Sequence, residues 1–235
     1  MKKINLNEGR AKIVIEAIRY LSENRSSDEG LAENIAPIIG NLVGPISLAS
    51  SLVDPMVFYK EMRKAPDSVH EILEYVTNES IKFGIAQLRA GADVITIADP
   101  SGTGEILGAR QFKLFALPYL NKIAKALNSE RPNSVIVHIC GRLKSVYEPL
   151  NDLECDVLSF DAITSVNQVK EFVNNKVIMG NVSTYTLEYG TKEQVENIAR
   201  KCVNQGVNIL SPACGLGMGT SLENIFAMKR GAFIV

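Results

Sequence analysis

The chain has 235 residues, 46% of them hydrophobic, which is enough to bury one large core, and length alone permits one domain or two. The net charge is −1 and the 25 basic residues are spread along the sequence, which excludes the basic stripe of a nucleic-acid binder and leaves small molecules or proteins as partners. The polar start MKKINLNEGRAK lacks the apolar core of a secretory leader, so a cytoplasmic location is expected, where cysteines serve metal binding, catalysis or packing rather than disulfides.

Residues 1–30 read as a helix, with Val14, Ala17, Ile18 and Leu21 at helical spacing, followed by a polar loop. The run from Ile35 to Val53 is uncharged over 19 residues, the length of a membrane span. However, Pro37, Gly40, Asn41, Gly44, Pro45 and three serines would break such a helix and suit a buried strand with its loop, so no membrane contact is expected. Pro66 opens a helix with Val69, Ile72, Leu73 and Val76 on one stripe and His70 facing solvent, and Gly91 stops it.

ADVITIADP is the second strand, and Pro118 divides the segment 105–128 into two helical pieces. SVIVHICG, CDVLSFD and KVIMGNV follow as strands. A helix carrying Val195, Ile198, Ala199 and Cys202 is opened by a Thr191/Gln194 capping box and closed at Gly206. VNILSPACG is the sixth strand, and Thr220 with Glu223 has the spacing that opens one more helix.

Apolar strands alternating with helices imply an α/β protein with a parallel sheet covered on both faces. Polar residues follow five of the strands, at Asp99, His138/Cys140, Asp161, Asn181 and Cys214. Functional groups at successive strand ends favour a TIM (β/α)8-type barrel over a doubly wound sheet with a single crevice. Only six strands are recognisable and the first two have no candidate segment, so the expected architecture is an incomplete barrel, one domain over 1–235, with an open sheet edge that invites a partner or a second copy.

His138 and Cys140 are two apart on a strand and project to the same side, close enough to share one ion, and Cys214 leaves the last strand at the same end. Three N/S ligands with a fourth position open suit catalytic zinc, although a lone His-x-Cys also fits a hydrogen-bonded core pair. Cys155, just before a strand, and Cys202, on an apolar helix stripe, are assigned to packing. The loop after Cys214 carries Gly215, Gly217 and Gly219, whose amides could cradle a substrate's anionic end, unless the glycines only make a tight turn. Asp99 and Asp161 are the candidate catalytic acids, acting on substrate or on the metal-bound His, with loop capping as the alternative. Asn181 is a candidate substrate contact.

The segments GPISLASSLVDP, QLRAGADVITIADPSG, LPYLNKIAKAL, VIVHICG, DVLSFD, VIMGNV and SPACGLGMGTSLENIFAM, in this order and spacing, resemble the uroporphyrinogen decarboxylase superfamily, and within it the methylcobamide:thiol methyltransferases. The resemblance runs from about Ile35 to the C-terminus. It implies a TIM barrel whose His138, Cys140 and Cys214 match the family's zinc ligands, while its decarboxylases do without that triad. It further implies methyl transfer from a methylcobamide, carried by a separate corrinoid protein, to a thiol such as coenzyme M. Full-length relatives carry more residues ahead of this chain's start, where decarboxylases keep substrate-binding arginines. Two alternatives therefore stand beside the methyltransferase: a shortened, non-catalytic module that binds a corrinoid protein or oligomerises, and a decarboxylase.

Overall fold

The structure, a computed structural model, describes residues 3–25 and 36–233. Along the chain the elements are α1 (Gly9–Glu23), β1 (Ile39–Val43), α2 (Pro45–Leu52), α3 (Pro55–Lys64), α4 (Pro66–Arg89), β2 (Val94–Ala98), α5 (Gly104–Gln111) and α6 (Leu117–Glu130). They continue with β3 (Val135–Ile139), α7 (Tyr147–Leu150), β4 (Val157–Phe160), α8 (Val166–Phe172), β5 (Val177–Val182), α9 (Thr184–Tyr189), α10 (Lys192–Asn204), β6 (Ile209–Pro212) and α11 (Leu222–Ala232). The six strands form one sheet in sequence order, β1 to β6, as the alternating pattern required. Neither outer strand, β1 or β6, has a second neighbour among the described residues.

The punctuation largely follows the sequence. Pro66 sits at the first turn of α4, and Gly91 and Gly206, at φ 112° and 85°, end the helices before β2 and β6. A π-helical turn at Phe112–Ala116 separates α5 from α6, with Pro118 in the first turn of α6. Thr191 and Gln194 close a reciprocal capping box on α10. On α11 the cap falls one residue later than expected: Ser221, not Thr220, accepts from Asn224 N at 3.2 Å, and Glu223 pairs with Lys192 instead.

Two compact units can be described. The first comprises Met1–Asp99, Lys113–Val137 and Glu154–Asp156. Here β1 and β2 pair in parallel from Ile39↔Val94 to Val43↔Ala98. The core includes Leu42, Ile46, Leu73, Ile95, Ile97, Leu120, Ile123 and Leu127, all buried. The second comprises Pro100–Phe112, His138–Leu153 and Val157–Val235. In it β4, β5 and β6 pair in parallel, around Leu158, Phe160, Ile178, Val182 and Val195.

The strand starts share one device. Asp93 ahead of β2, Asp156 ahead of β4 and Asn208 ahead of β6 each accept a backbone N–H from the start of the preceding strand, at Ile38, Val135 and Ile178, with bonds of 2.8, 3.0 and 2.9 Å. The Asp or Asn that opens the texts ADVI, CDVL and VNIL is thus a clamp at the N-terminal ends of the strands, where a parallel α/β fold keeps its stabilising residues.

Three details depart from the sequence expectation. β1 alternates exposed and buried residues rather than being covered on both faces, because α4 covers only the side of Gly40 and Leu42. Its outer edge is partly closed: the Gln87 side chain accepts from Asn41 N at 3.1 Å and donates to Asn41 O at 3.2 Å, doing for one residue what a neighbouring strand would do. Of the α1 stripe only Ile18 is buried. His70 is half-buried, not exposed, because Phe115 stacks on its ring at 4.7 Å and Tyr119 Oη lies 2.8 Å from its Nδ1. The polar loop read before residue 36 falls largely outside the described residues.

Candidate metal centre

β3 delivers two of the three candidate ligands. Val135, Ile136, Val137 and Ile139 are buried and fix the strand, so His138 and Cys140, two residues apart, leave it on one side. His138 Nε2 lies 3.0 Å from Cys140 Sγ, and Cys140 Sγ lies 3.3 Å from Cys214 Sγ, which arrives from the loop after β6. All three ligand atoms fall within 4.8 Å of one another.

The imidazole is oriented from behind. Ser159 Oγ on β4 sits 3.0 Å from His138 Nδ1, which leaves Nε2 as the nitrogen facing the sulfurs. The turn after Cys140 is also braced, because Gly141 O accepts from Thr164 Oγ1 at 3.0 Å and Arg142 O accepts from Thr103 Oγ1 at 3.3 Å. Asn181, expected at the substrate, braces the turn after β4: its amide donates to Asp161 O at 3.1 Å and Thr164 O at 2.9 Å, and its Oδ1 faces Cys202 Sγ at 3.6 Å.

The electrostatics favour uncharged ligands until a cation compensates them. Burial lowers the pKa of His138, against the opposing charge of Asp161. Burial likewise pushes the Cys140 thiol up to about 12, helped by the hydrogen bond to Cys214 and the charges of Cys214 and Asp161. An imidazole with two thiols is a soft N/S donor set of the kind that holds zinc, and binding there would proceed with loss of thiol protons.

The other candidates are placed differently. Asp161 flanks the ligands, with Oδ1 accepting from Ile163 N at 2.9 Å. Asp99 is fully buried, and its carboxylate accepts from Ile46 N at 3.0 Å, Ser47 N at 2.9 Å and Ser47 Oγ at 2.6 Å, which makes it the cap of α2. Gly215 faces open space, whereas Gly217 and Gly219 lie against the side chain of Glu188. Cys155 and Cys202 are buried, as assigned, and none of the four cysteines is in a disulfide. Sequence reasoning missed Ser159 and Glu188. Ser159 was recoverable in principle, since it stands two residues before Asp161 on the same strand text, but nothing in YTLEYG marks Glu188.

Residues 1–231 match the family model described as uroporphyrinogen decarboxylase (URO-D). The methylcobamide:CoM methyltransferase MtbA of Methanosarcina acetivorans is 29% identical over 99% of this chain and 66% of its own length. The methylcobamide:CoM methyltransferase MtaA of Methanosarcina barkeri is 30% identical over 95% of this chain and 63% of its own length. Among solved structures, a methyltransferase from Methanosarcina mazei superposes with a TM-score of 0.87 at 31% identity, covering 97% of this chain and 65% of that one. The chain thus spans just under two thirds of the length of these relatives.

Proposed function

The chain belongs to the uroporphyrinogen decarboxylase family, and from that premise we propose that it moves a methyl group from a methylated cobamide to a small thiol, using zinc held by His138, Cys140 and Cys214. The observation that carries this is the convergence of one imidazole nitrogen and two thiol sulfurs within 4.8 Å. Two of the most similar relatives are named for methylcobamide and CoM, which supports the same chemistry here.

Zinc bound there would supply the positive charge that ionises an acceptor thiol at neutral pH and keeps its sulfur nucleophilic. In the overall reaction the thiol loses its proton, a sulfur–carbon bond forms, and the cobalt–carbon bond breaks with its electron pair left on cobalt. The products are a thioether and the cob(I)amide. Ser159 holds the His138 ring so that Nε2 faces the sulfurs. Asp161, whose charge is felt by both His138 and Cys140, is assigned to receiving the thiol's proton. For Asp99 we assign the capping of α2 rather than proton transfer, and for Asn181 the bracing of the 161–164 turn. The cobamide is expected on a separate carrier protein.

Elemental analysis of the purified chain should find about one zinc per chain, and Cys214→Ser should lose it on dialysis. Methylcobalamin should be demethylated on adding thiol, followed by its visible absorbance. Turnover by a protein that binds no zinc would overturn the reading. A second reading, a non-catalytic module that engages a corrinoid protein, predicts zinc binding without methyl transfer. Turnover by the isolated chain removes it.

A further inference from the structure

The glycine-rich loop after β6 already has a carboxylate of the folded chain lying against it. Gly219 N donates to Glu188 Oε1 at 3.2 Å. A Cβ added to Gly217 would collide with the same carboxylate, its Oε1 being 2.9 Å away, and one added to Gly219 would come within 2.7 Å of that oxygen. These two positions are glycine where a side chain would displace Glu188.

The arrangement is fastened at its far end too. Asn224, buried in the first turn of α11, donates to Leu187 O at 2.9 Å and to Gly190 O at 3.0 Å, on either side of Glu188. The loop that begins at Cys214 is therefore closed onto α9, with the carboxylate against glycines three and five residues past the candidate ligand. Residues 213–221 contain no lysine or arginine, and Lys192, at the start of α10, pairs with Glu223 at 2.6 Å. Nothing cationic in the loop offsets Glu188.

We propose that Glu188 is the resident anion of this loop and a specificity determinant: it keeps anionic groups away from the loop beside Cys214, so the thiol accepted there has a neutral or cationic tail. The substrate class rests on the thiol chemistry proposed above, whereas the exclusion of anions does not. It is also a departure from the acceptor for which the relatives are named. Two like charges about 4 Å apart repel enough to lower occupancy by at least about fivefold even at the dielectric constant of water.

The test uses Glu188→Gln, which keeps an oxygen for Gly219 N and removes the charge. In the full chain after treatment with a chelator, alkylation of Cys214 by iodoacetate and by iodoacetamide is timed by mass spectrometry of its peptide. Wild type should show an iodoacetate-to-iodoacetamide rate ratio below that of a free cysteine peptide, and E188Q should raise it toward the peptide's ratio. Glu16→Gln, on α1, should leave it unchanged. An equal ratio in E188Q and wild type overturns the proposal. In methylcobalamin demethylation, wild type should use mercaptoethanol and cysteamine with a higher kcat/KM than mercaptoethanesulfonate, and E188Q should close that gap through KM. A wild-type preference for the sulfonate that persists in E188Q overturns it as well. Absence of turnover with every thiol strikes the methyl-transfer reading alone, and the alkylation ratios still decide the role of Glu188.

Discussion

The ends of β2 and β3 look alike in sequence and part ways in chemistry. In VITIADP and VIVHICG an apolar strand runs directly into polar groups at its C-terminal end. At the end of β2, Asp99 is saturated by the chain itself: two amides and a hydroxyl from the start of α2 donate to it, and Gly44 leaves the room that a Cβ would take from its carboxylate. A buried charge with that many donors belongs to the scaffold. At the end of β3, His138 and Cys140 meet each other and Cys214 rather than backbone amides, and burial holds them in their uncharged forms. Soft donors gathered at one point are a candidate site for an ion. The difference teaches that a polar residue after a strand is functional or structural according to what it finds, and the strand text does not say which.

The largest expected effect would break this contrast if it failed. Asp99→Ala strands Ile46 N and the N–H and O–H of Ser47 in a buried place, so it should cost about 3 kcal/mol of stability, read from the urea midpoint. Protein that stays folded should still hold zinc. A cost below about 1 kcal/mol, or zinc lost from folded D99A, would erase the distinction between scaffold and site. Cys140→Ser is the mirror experiment. Zinc should be lost on dialysis, while the metal-free protein should change in stability by less than about 1 kcal/mol, because a similar-sized group replaces a half-buried thiol.

How far the sequence could go follows from the same contrast. All six strands were legible because short apolar runs bounded by Gly, Pro and Asp suit strands of a parallel sheet, and the meeting of His138, Cys140 and Cys214 was legible because all three stand at the C-terminal ends of strands. What could not be read depends on partners distant in sequence. Asp99 needed the amides of residues 46 and 47, some fifty residues earlier, to become a cap. Gly217 and Gly219 needed Glu188 to stop being an empty cradle, and His70 needed Phe115 and Tyr119 to stop being a surface residue. The capping slip from Thr220 to Ser221 is of another kind, since two adjacent hydroxyl residues compete for one local role.

Ser159 offers a smaller and more selective probe. It touches the His138 ring and none of the sulfurs among the described contacts, so Ser159→Ala should leave the ligand set intact and free the ring to turn. Zinc affinity should fall by about 10- to 100-fold, measured by competition with a chromogenic chelator. Ser159→Thr, which keeps the hydroxyl, should restore most of it. An unchanged affinity in S159A would mean that β3 alone fixes the imidazole.

The smallest effect is in the pH dependence of the metal-free protein, and its sign separates the two strand ends. The His138 pKa is lowered in the folded state, so below its ordinary value of about 6.5 the unfolded chain binds a proton that the folded chain refuses, and stability falls as the pH drops. The Cys140 thiol is raised from about 9 to about 12, so in that interval the unfolded chain releases a proton that the folded chain keeps, and stability falls as the pH rises. The site therefore contributes a plateau between about pH 6.5 and 9, with a decline on each side. Lysines and tyrosines elsewhere also titrate at alkaline pH, so the informative quantity is a difference. The melting temperature of Cys140→Ser should decline less steeply than that of wild type between pH 9 and 10.5, whereas Asp99→Asn should run parallel to wild type there. Parallel slopes for C140S and wild type would mean that the thiol is not confined by its surroundings, and the end of β3 would then be no more preorganised for an ion than an exposed pair of cysteines.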